Sequence, residues 1–250
     1  MNNEEVIGLI PAAGKGVRLG LPYPKELYPV IRDNHYKPIA QFVVNSLTRA
    51  GAHHIVFVIN ETKHQLVGYF GNGHRFGCHL SYVVQEPASN HEKSTSPGLA
   101  HALDSAYHLT QGKTVFFGMA DTIMQPEDVF AAAYSAATPD DDVILVLFPT
   151  ERPEKFGMVH LDQDNRVLEI VDKPRQTDLT EMWGCIIWRS RFTEHLHQAV
   201  CQGISDFAQI MNDAIAAGFR FRGVRNVNGV YIDLGTYEEI MELDRRFREE

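Results

Sequence analysis

Across 250 residues the chain carries 44% hydrophobic and 22% charged residues, proportions that exclude a disordered or low-complexity chain and allow a sizeable core. A net charge of −9 argues against the broad basic face that a nucleic-acid partner requires, and no apolar run approaches the length that spans a bilayer. Cys78, Cys185 and Cys201 are scattered without a CxxC pair, which excludes a disulfide framework or zinc-cysteine cluster; with the polar, acidic start MNNEE this points to a reducing, cytoplasmic compartment.

In chain order, residues 6–10 read as a buried strand feeding a glycine loop. Pro38 opens a helix whose Ile39, Phe42, Val43, Leu47 and Ala50 share one face and which Gly51 ends. Residues 55–59 (IVFVI) and 80–84 are continuous apolar runs of the kind buried on both faces of a parallel sheet. Pro97 opens a second helix through Leu99, Ala102, Leu103 and Ala106; residues 115–117 form a strand; Pro126 begins a helix through Val129, Phe130 and Ala133; residues 143–148 form a fifth strand. This alternation predicts a wound α/β sheet with right-handed crossovers.

After Pro149 the pattern changes. Residues 158–161 and 167–171 flank Asp162-Gln163-Asp164-Asn165 as a hairpin, residues 183–188 make another strand, helices follow near 190–200 and 205–217, and strands near 219–225 and 229–233. The last helix starts at Thr236, whose spacing to Glu239 is that of a capping box, with Tyr237, Ile240, Met241 and Phe247 on one face. No Pro/Gly/Ser-rich linker interrupts the chain. The expectation is a single domain over 1–250, with lobes at 1–150 and 151–250 sharing one continuous sheet.

The acidic background has a local exception at 14–37, where Lys15, Arg18, Lys25, Arg32 and Lys37 face only Glu26 and Asp33. Gly14-Lys15-Gly16 follows a strand, and glycines there let backbone N–H groups approach a phosphate. The P-loop pattern GxxxxGK[ST] is absent. The dinucleotide fingerprint GxGxxG fails at Leu19, and Pro22, Pro24 and Pro29 forbid a regular helix directly afterwards. Two readings stay open on the loop alone: a glycine turn with solvated cations, or a loop that wraps a nucleoside triphosphate and aims Arg18 and Lys25 at it.

The segment 11–18 (PAAGKGVR), followed by 24–27 (PKEL), resembles the signature of sugar-1-phosphate nucleotidyltransferases, in particular the glucose-1-phosphate thymidylyltransferase and uridylyltransferase branch. The likeness continues in order through Gln85, 98–103 (GLAHAL), 118–121 (GMAD), 156–159 (FGMV), 172–174 (DKP) and 231–237 (YIDLGTY). It implies a Rossmann-like wound mixed sheet of the nucleotide-diphospho-sugar transferase type. It also implies condensation of a nucleoside triphosphate, dTTP or UTP, with a sugar 1-phosphate to give a nucleotide sugar and pyrophosphate. On this likeness Ala12, Ala13, Gly14, Lys15 and Gly16 hold the nucleotide, and Gln85 and Gly98 read its base. Asp121 and Asp233 hold Mg²⁺. Gly157, Asp172 and Lys173 hold the sugar phosphate, and Arg18, Lys25 and Lys173 carry the catalysis. No nucleic acid or membrane partner is implied, and a homo-oligomer is left open.

The chemistry needs such residues. An acceptor phosphate must approach the α-phosphorus of a polyanion, so catalysis is mostly charge neutralisation and positioning. Asp121 follows a strand, and ligands of open α/β sheets bind beyond the carboxyl ends of strands. Without the likeness, Asp121 reads as a turn aspartate, Asp233 as a cap partner and Lys173 as an exposed strand end. The chain departs from the pattern at Asp172, where the family has Glu, at Met119-Ala120, where it has Leu-Gly, in a short span between Gly16 and Lys25, and in a polar insertion at 88–96. These mark a divergent member and leave base and sugar open. The alternatives are a nucleotidyltransferase with a non-sugar acceptor such as phosphocholine, and a catalytically silent nucleotide-sugar sensor.

Other motifs are declined. His53-His54 and His195-x-His197 do not share a helix face and no HExxH occurs; Asp162-x-Asp164 lacks the rest of a calcium loop; Asp140-Asp141-Asp142 reads as a solvated turn; no serine elbow supports a hydrolase.

Overall fold

The computed structural model describes residues 5–16, 19–32, 35–86 and 98–249. In chain order its elements are β1 (Val6–Pro11), β2 (Pro29–Arg32), β3 (His35–Pro38), α1 (Ile39–Arg49), β4 (His54–Ile59), α2 (His64–Phe70), β5 (His79–Val84), α3 (Leu99–Asp104), α4 (Tyr107–Thr110), β6 (Thr114–Phe117), β7 (Thr122–Gln125), α5 (Val129–Ala136), β8 (Val143–Pro149), β9 (Gly157–Leu161), β10 (Val167–Asp172), β11 (Glu181–Trp188), α6 (Ser190–Cys201), α7 (Phe207–Ala216), β12 (Phe221–Arg225), β13 (Val230–Asp233) and α8 (Tyr237–Glu249).

Nine strands make the central sheet. β6, β1, β4 and β5 lie side by side and parallel. The apolar runs of β6, β1 and β4 are buried on both faces: Ile55, Phe57 and Ile59 pack with Val43, Val44 and Leu47 of α1, whereas Val56 and Val58 pack with Leu103, Phe192, Phe207 and Ile210 from the other side. Each such fully buried side chain contributes about 1.5–3 kcal/mol of hydrophobic stabilisation, before the conformational entropy cost of ordering the chain. β5, expected from its run to be covered on both faces, is instead the edge of the sheet and only half-buried, with Val84 exposed. Helix α1 sits close to the sheet at Gly8, where a Cβ would come within 2.9 Å of Ile55 and 3.2 Å of Leu47.

The fifth apolar strand departs from the simple wound pattern. β8 is separated from β6 by β11, which runs antiparallel to both, and β12 then lies parallel beyond β8. Burial on both faces makes a strand apolar whatever its neighbour's direction, so the composition of 143–148 carries no information on its partner. The hairpin β9–β10 joins beside the first half of β11, through Met182 opposite Met158. Its turn is held by Asp162, whose Oδ1 accepts the N–H groups of Asp164 and Arg166 at 2.8 Å each.

Helix starts differ by small amounts from the proline positions. α3 begins at Leu99 directly after Gly98, Pro97 lying outside the described residues, and α5 begins three residues past Pro126. The capping box at α8 is present: Glu239 accepts the N–H of Thr236 at 2.9 Å and of Gly235 at 2.8 Å, and its own N–H reaches the Thr236 hydroxyl at 3.3 Å.

Two small ribbons go beyond the sequence reading, which expected β13 as a strand but not its partner β7, nor the pair β2–β3. β2–β3 is an antiparallel hairpin built from the proline-rich stretch. β7 pairs antiparallel with β13, placing Thr122 opposite Asp233 and Met124 opposite Tyr231. A third apolar cluster, with Leu19, Val30, Ile39, Phe42, Ile123, Leu234, Ile240 and Leu243, binds both ribbons to α1 and α8. No described helix is long and apolar enough to cross a membrane.

Candidate active site

The site begins where β1 ends. The N–H of Ala12 donates to Val58 C=O at 2.7 Å, and Asn60 Nδ2 donates to Ala13 C=O at 2.8 Å, so β4 fixes the start of the glycine loop. Gly14 and Lys15 are exposed, and Gly16 has φ 64°, a conformation that favours glycine. Arg18 lies outside the described residues, as does the insertion at 88–96.

The loop returns through a 3-10 turn over Lys25–Leu27. The Lys25 ammonium contacts the Asp121 carboxylate. Its neighbour Glu26 contacts Lys63, and both of those residues are almost wholly buried, at 2% and 3% exposure. Lys63 precedes α2, so a buried ion pair ties this turn to the body of the protein.

Asp121 is reached from β6 through Gly118, where a Cβ would come within 2.6 Å of Val43. The β7–β13 ribbon does the rest. Asp233 ends β13 opposite Thr122, and Leu234 N–H donates to Asp121 C=O at 3.0 Å. Two aspartates more than a hundred positions apart thus stand side by side. Burial, then the charge of Asp121, pushes the Asp233 carboxyl up to about 6, with Lys25 pulling the other way. Burial also works against the Lys25 ammonium, but Asp121, Glu26 and Asp233 outweigh it and hold its pKa above the ordinary lysine value.

Asp233 also lines a cavity of about 510 Å³ whose other walls include Gly157, Asp172, Lys173, Lys155, Trp183 and Met119. Lys173 is in the left-handed region at φ 46°, its N–H donating to Phe156 C=O at 3.0 Å. Such a backbone costs a non-glycine residue about 1–3 kcal/mol and is characteristic of functional positions. The Lys173 side chain is mostly exposed and lies 3.8 Å from Asp172. Gly157 has a second reason to be glycine: a Cβ there would fall 2.2 Å from Trp183 Nε1, so the indole fills the space.

Gln85 extends β5 by donating its N–H to Ile59 C=O at 2.8 Å, and its side-chain nitrogen is buried with no partner among the described residues. Gly98 packs so that a Cβ would lie 3.0 Å from Ser205 C=O.

Two cations escaped the sequence reading. Lys155 contacts Glu239 and lines the cavity; its place just before the Phe156-Gly157 segment is a signal that could have found it. Lys63 carries no motif, and only its partner, 37 positions earlier, reveals it.

Among the described residues no three His, Cys, Asp or Glu side chains gather as a metal cluster. The donor set here is the pair Asp121 and Asp233. Two adjacent carboxylates, Asp121 buried and Asp233 partly buried, are a donor set that fits Mg²⁺, an ion commonly held by one or two carboxylates.

A family model for nucleotidyl transferases matches residues 7–250. The chain belongs to the nucleotidyl transferase family. Within that family it is a divergent sugar-1-phosphate nucleotidyltransferase relative. It is 27% identical over 258 residues to a glucose-1-phosphate thymidylyltransferase of Streptomyces griseus, covering 95% of this chain and 64% of that one. A protein of the same name from Neisseria meningitidis is 24% identical over 245 residues, covering 94% and 80%. The chain therefore spans just under two thirds of the Streptomyces relative's length. Among solved structures, a Bacillus anthracis protein assigned as a glucose-1-phosphate thymidylyltransferase, in complex with a sucrose, superposes with a TM-score of 0.82 at 20% identity, covering 98% of this chain and 96% of that one. A UDP-glucose pyrophosphorylase from Acinetobacter baumanii gives 0.77 at 16% identity, covering 96% and 92%. These likenesses establish a nucleotidyl transferase fold with a Rossmann-like mixed sheet.

Proposed function

We propose that the protein condenses a nucleoside triphosphate, dTTP or UTP, with a sugar 1-phosphate, releasing pyrophosphate. One observation carries this reading: Lys25, Asp121 and Asp233 converge beside a single cavity that also holds Gly157, Asp172 and Lys173. In this reading residues 1–150 form the nucleotide lobe and 151–250 the sugar-phosphate lobe.

An oxygen of the acceptor phosphate attacks the α-phosphorus as its bond to pyrophosphate breaks in line. Backbone N–H groups of 12–16 take the triphosphate, and Lys25, with Arg18, neutralises the charge that grows on the leaving group. Lys173 and Asp172 hold the acceptor's phosphate and a hydroxyl, while Gln85 and the backbone at Gly98 read the pyrimidine edge. Asp121 and Asp233 are the residues that would hold Mg²⁺, and the ion supplies charge neutralisation on the phosphates. The three scattered cysteines, without a CxxC pair, support a reducing, cytoplasmic residence.

The test is pyrophosphate release across the nucleoside triphosphates and a panel of hexose 1-phosphates and phosphocholine, with and without Mg²⁺. The expected result is release that requires a pyrimidine triphosphate, a sugar 1-phosphate and the ion together. Release with phosphocholine alone would move the acceptor outside sugars. Tight nucleotide-sugar binding with neither synthesis nor pyrophosphorolysis would make the protein a sensor.

A further inference from the structure

Away from the cavity, a second group of reactive side chains stands where α3, α4 and α6 meet. Cys201 is the last residue of α6 and is exposed. Its Sγ lies 3.7 Å from Nε2 of His197, one turn earlier on the same helix. Nδ1 of that ring lies 2.8 Å from Oδ1 of Asp104, which ends α3. The Tyr107 ring stacks on the imidazole, 3.8 Å between centroids and 6° between planes, and its hydroxyl donates to Glu194 at 2.8 Å.

The order is nucleophile, base, orienting carboxylate. A carboxylate can only accept, so Asp104 takes the Nδ1–H and leaves the lone pair of Nε2 facing the thiol. The stacked Tyr107 fixes the plane of the ring. His197 serves as the base at the moment of attack. The other two cysteines differ: Cys78 and Cys185 are buried, and burial pushes both thiols up.

We propose that Cys201 is a modification site, a nucleophilic thiol that exchanges with low-molecular-weight disulfides, with His197 as its base and Asp104 as the residue that positions the base. Sγ attacks one sulfur of the disulfide while its proton passes to His197 Nε2. The Cys201–sulfur bond forms as the original S–S bond breaks, and the departing thiolate carries away the electron pair and is protonated by the imidazolium. The products are a mixed disulfide on Cys201 and one equivalent of free thiol.

The test treats the whole protein with oxidised glutathione, follows adducts by intact mass, and measures rates with an aromatic disulfide that releases a coloured thiolate. One adduct is expected, and none on Cys201→Ser. His197→Gln should slow the reaction on the order of tenfold or more and change the shape of the pH–rate profile, because no imidazole remains to take the proton. Asp104→Asn, which leaves the imidazole in place but presents it in the wrong tautomer, should slow it in the same direction. If His197→Gln fails to fold, all three cysteines react and Asp104→Asn alone decides. Wild-type rates with an unchanged pH profile in these variants, or an adduct on Cys78 or Cys185 of the folded protein, would overturn the proposal.

Discussion

Two lysine–aspartate pairs, one lining the cavity and one beside its Asp233 wall, behave in opposite ways. Lys25 and Asp121 come from segments 96 positions apart, and both side chains are largely buried, at 15% and 12% exposure. Lys173 and Asp172 are adjacent in the chain, mostly open to solvent at 61% and 46%, and 3.8 Å apart. The first pair is assembled by the fold and braced by the Glu26–Lys63 pair beneath it. The second is held through its backbone, by the left-handed Lys173 and its N–H to Phe156 C=O, while its side chains stay open to solvent. Exposed pairs are worth about 0–1 kcal/mol, so Lys173 and Asp172 owe little to stability. Under the proposed function, the contrast separates a fixed charged framework from an exposed acceptor contact.

The comparison is broken most severely at the fixed pair. Lys25→Ala should lower turnover on the order of a hundredfold or more, because it removes a preorganised charge from the developing pyrophosphate. Lys173→Ala should act more on acceptor KM than on triphosphate KM. Steady-state pyrophosphate release with each substrate varied separately reads both, and equal effects on the two KM values would erase the distinction. Next in size is the brace. Lys63→Ala leaves Glu26 buried without its cation and should cost about 3–5 kcal/mol in urea unfolding; a loss below about 1 kcal/mol would show that the pair does not hold the turn.

The smallest effect sharpens the electrostatics. Asp233 is raised to about 6 from an ordinary 3.8, so the unfolded chain gives up this proton first. Stability conferred by that group is therefore full below about pH 4, falls as pH climbs to about 6, and stays lost above it. Asp233→Asn should remove this slope and be about 2–3 kcal/mol more stable than wild type above about pH 7, with the gap closing below about pH 4. Parallel melting curves of the two proteins across this range would rule out the burial of a strained carboxyl.

The sequence made much of this visible and hid the rest for physical reasons. The glycine loop, α1, the apolar runs of β1, β4 and β5, and the box at Thr236 and Glu239 are local signals, and they lie where periodicity places them. β7 is hidden because Thr122–Gln125 is too short to show a period and runs straight into Pro126. The position of β8 is hidden because its neighbour β11 lies more than thirty positions away and either direction buries the same side chains. Asp121 and Asp233 were legible as candidates, but their adjacency depends on the β7–β13 ribbon. Lys63 was illegible: a lysine reads as surface unless its partner is known, and Glu26 sits in a turn that a string of prolines made look irregular.

The four-residue ribbon of β7 and β13 also fixes when the site can come into being. Everything up to Asp121 can be synthesised while its partner is still unmade, because the matching strand begins only at Val230. Contacts this distant in the chain form late, after the loop between them has closed. A growing polypeptide on the ribosome thus carries its glycine loop long before it carries the paired aspartates, which can meet only once Val230–Asp233 has emerged.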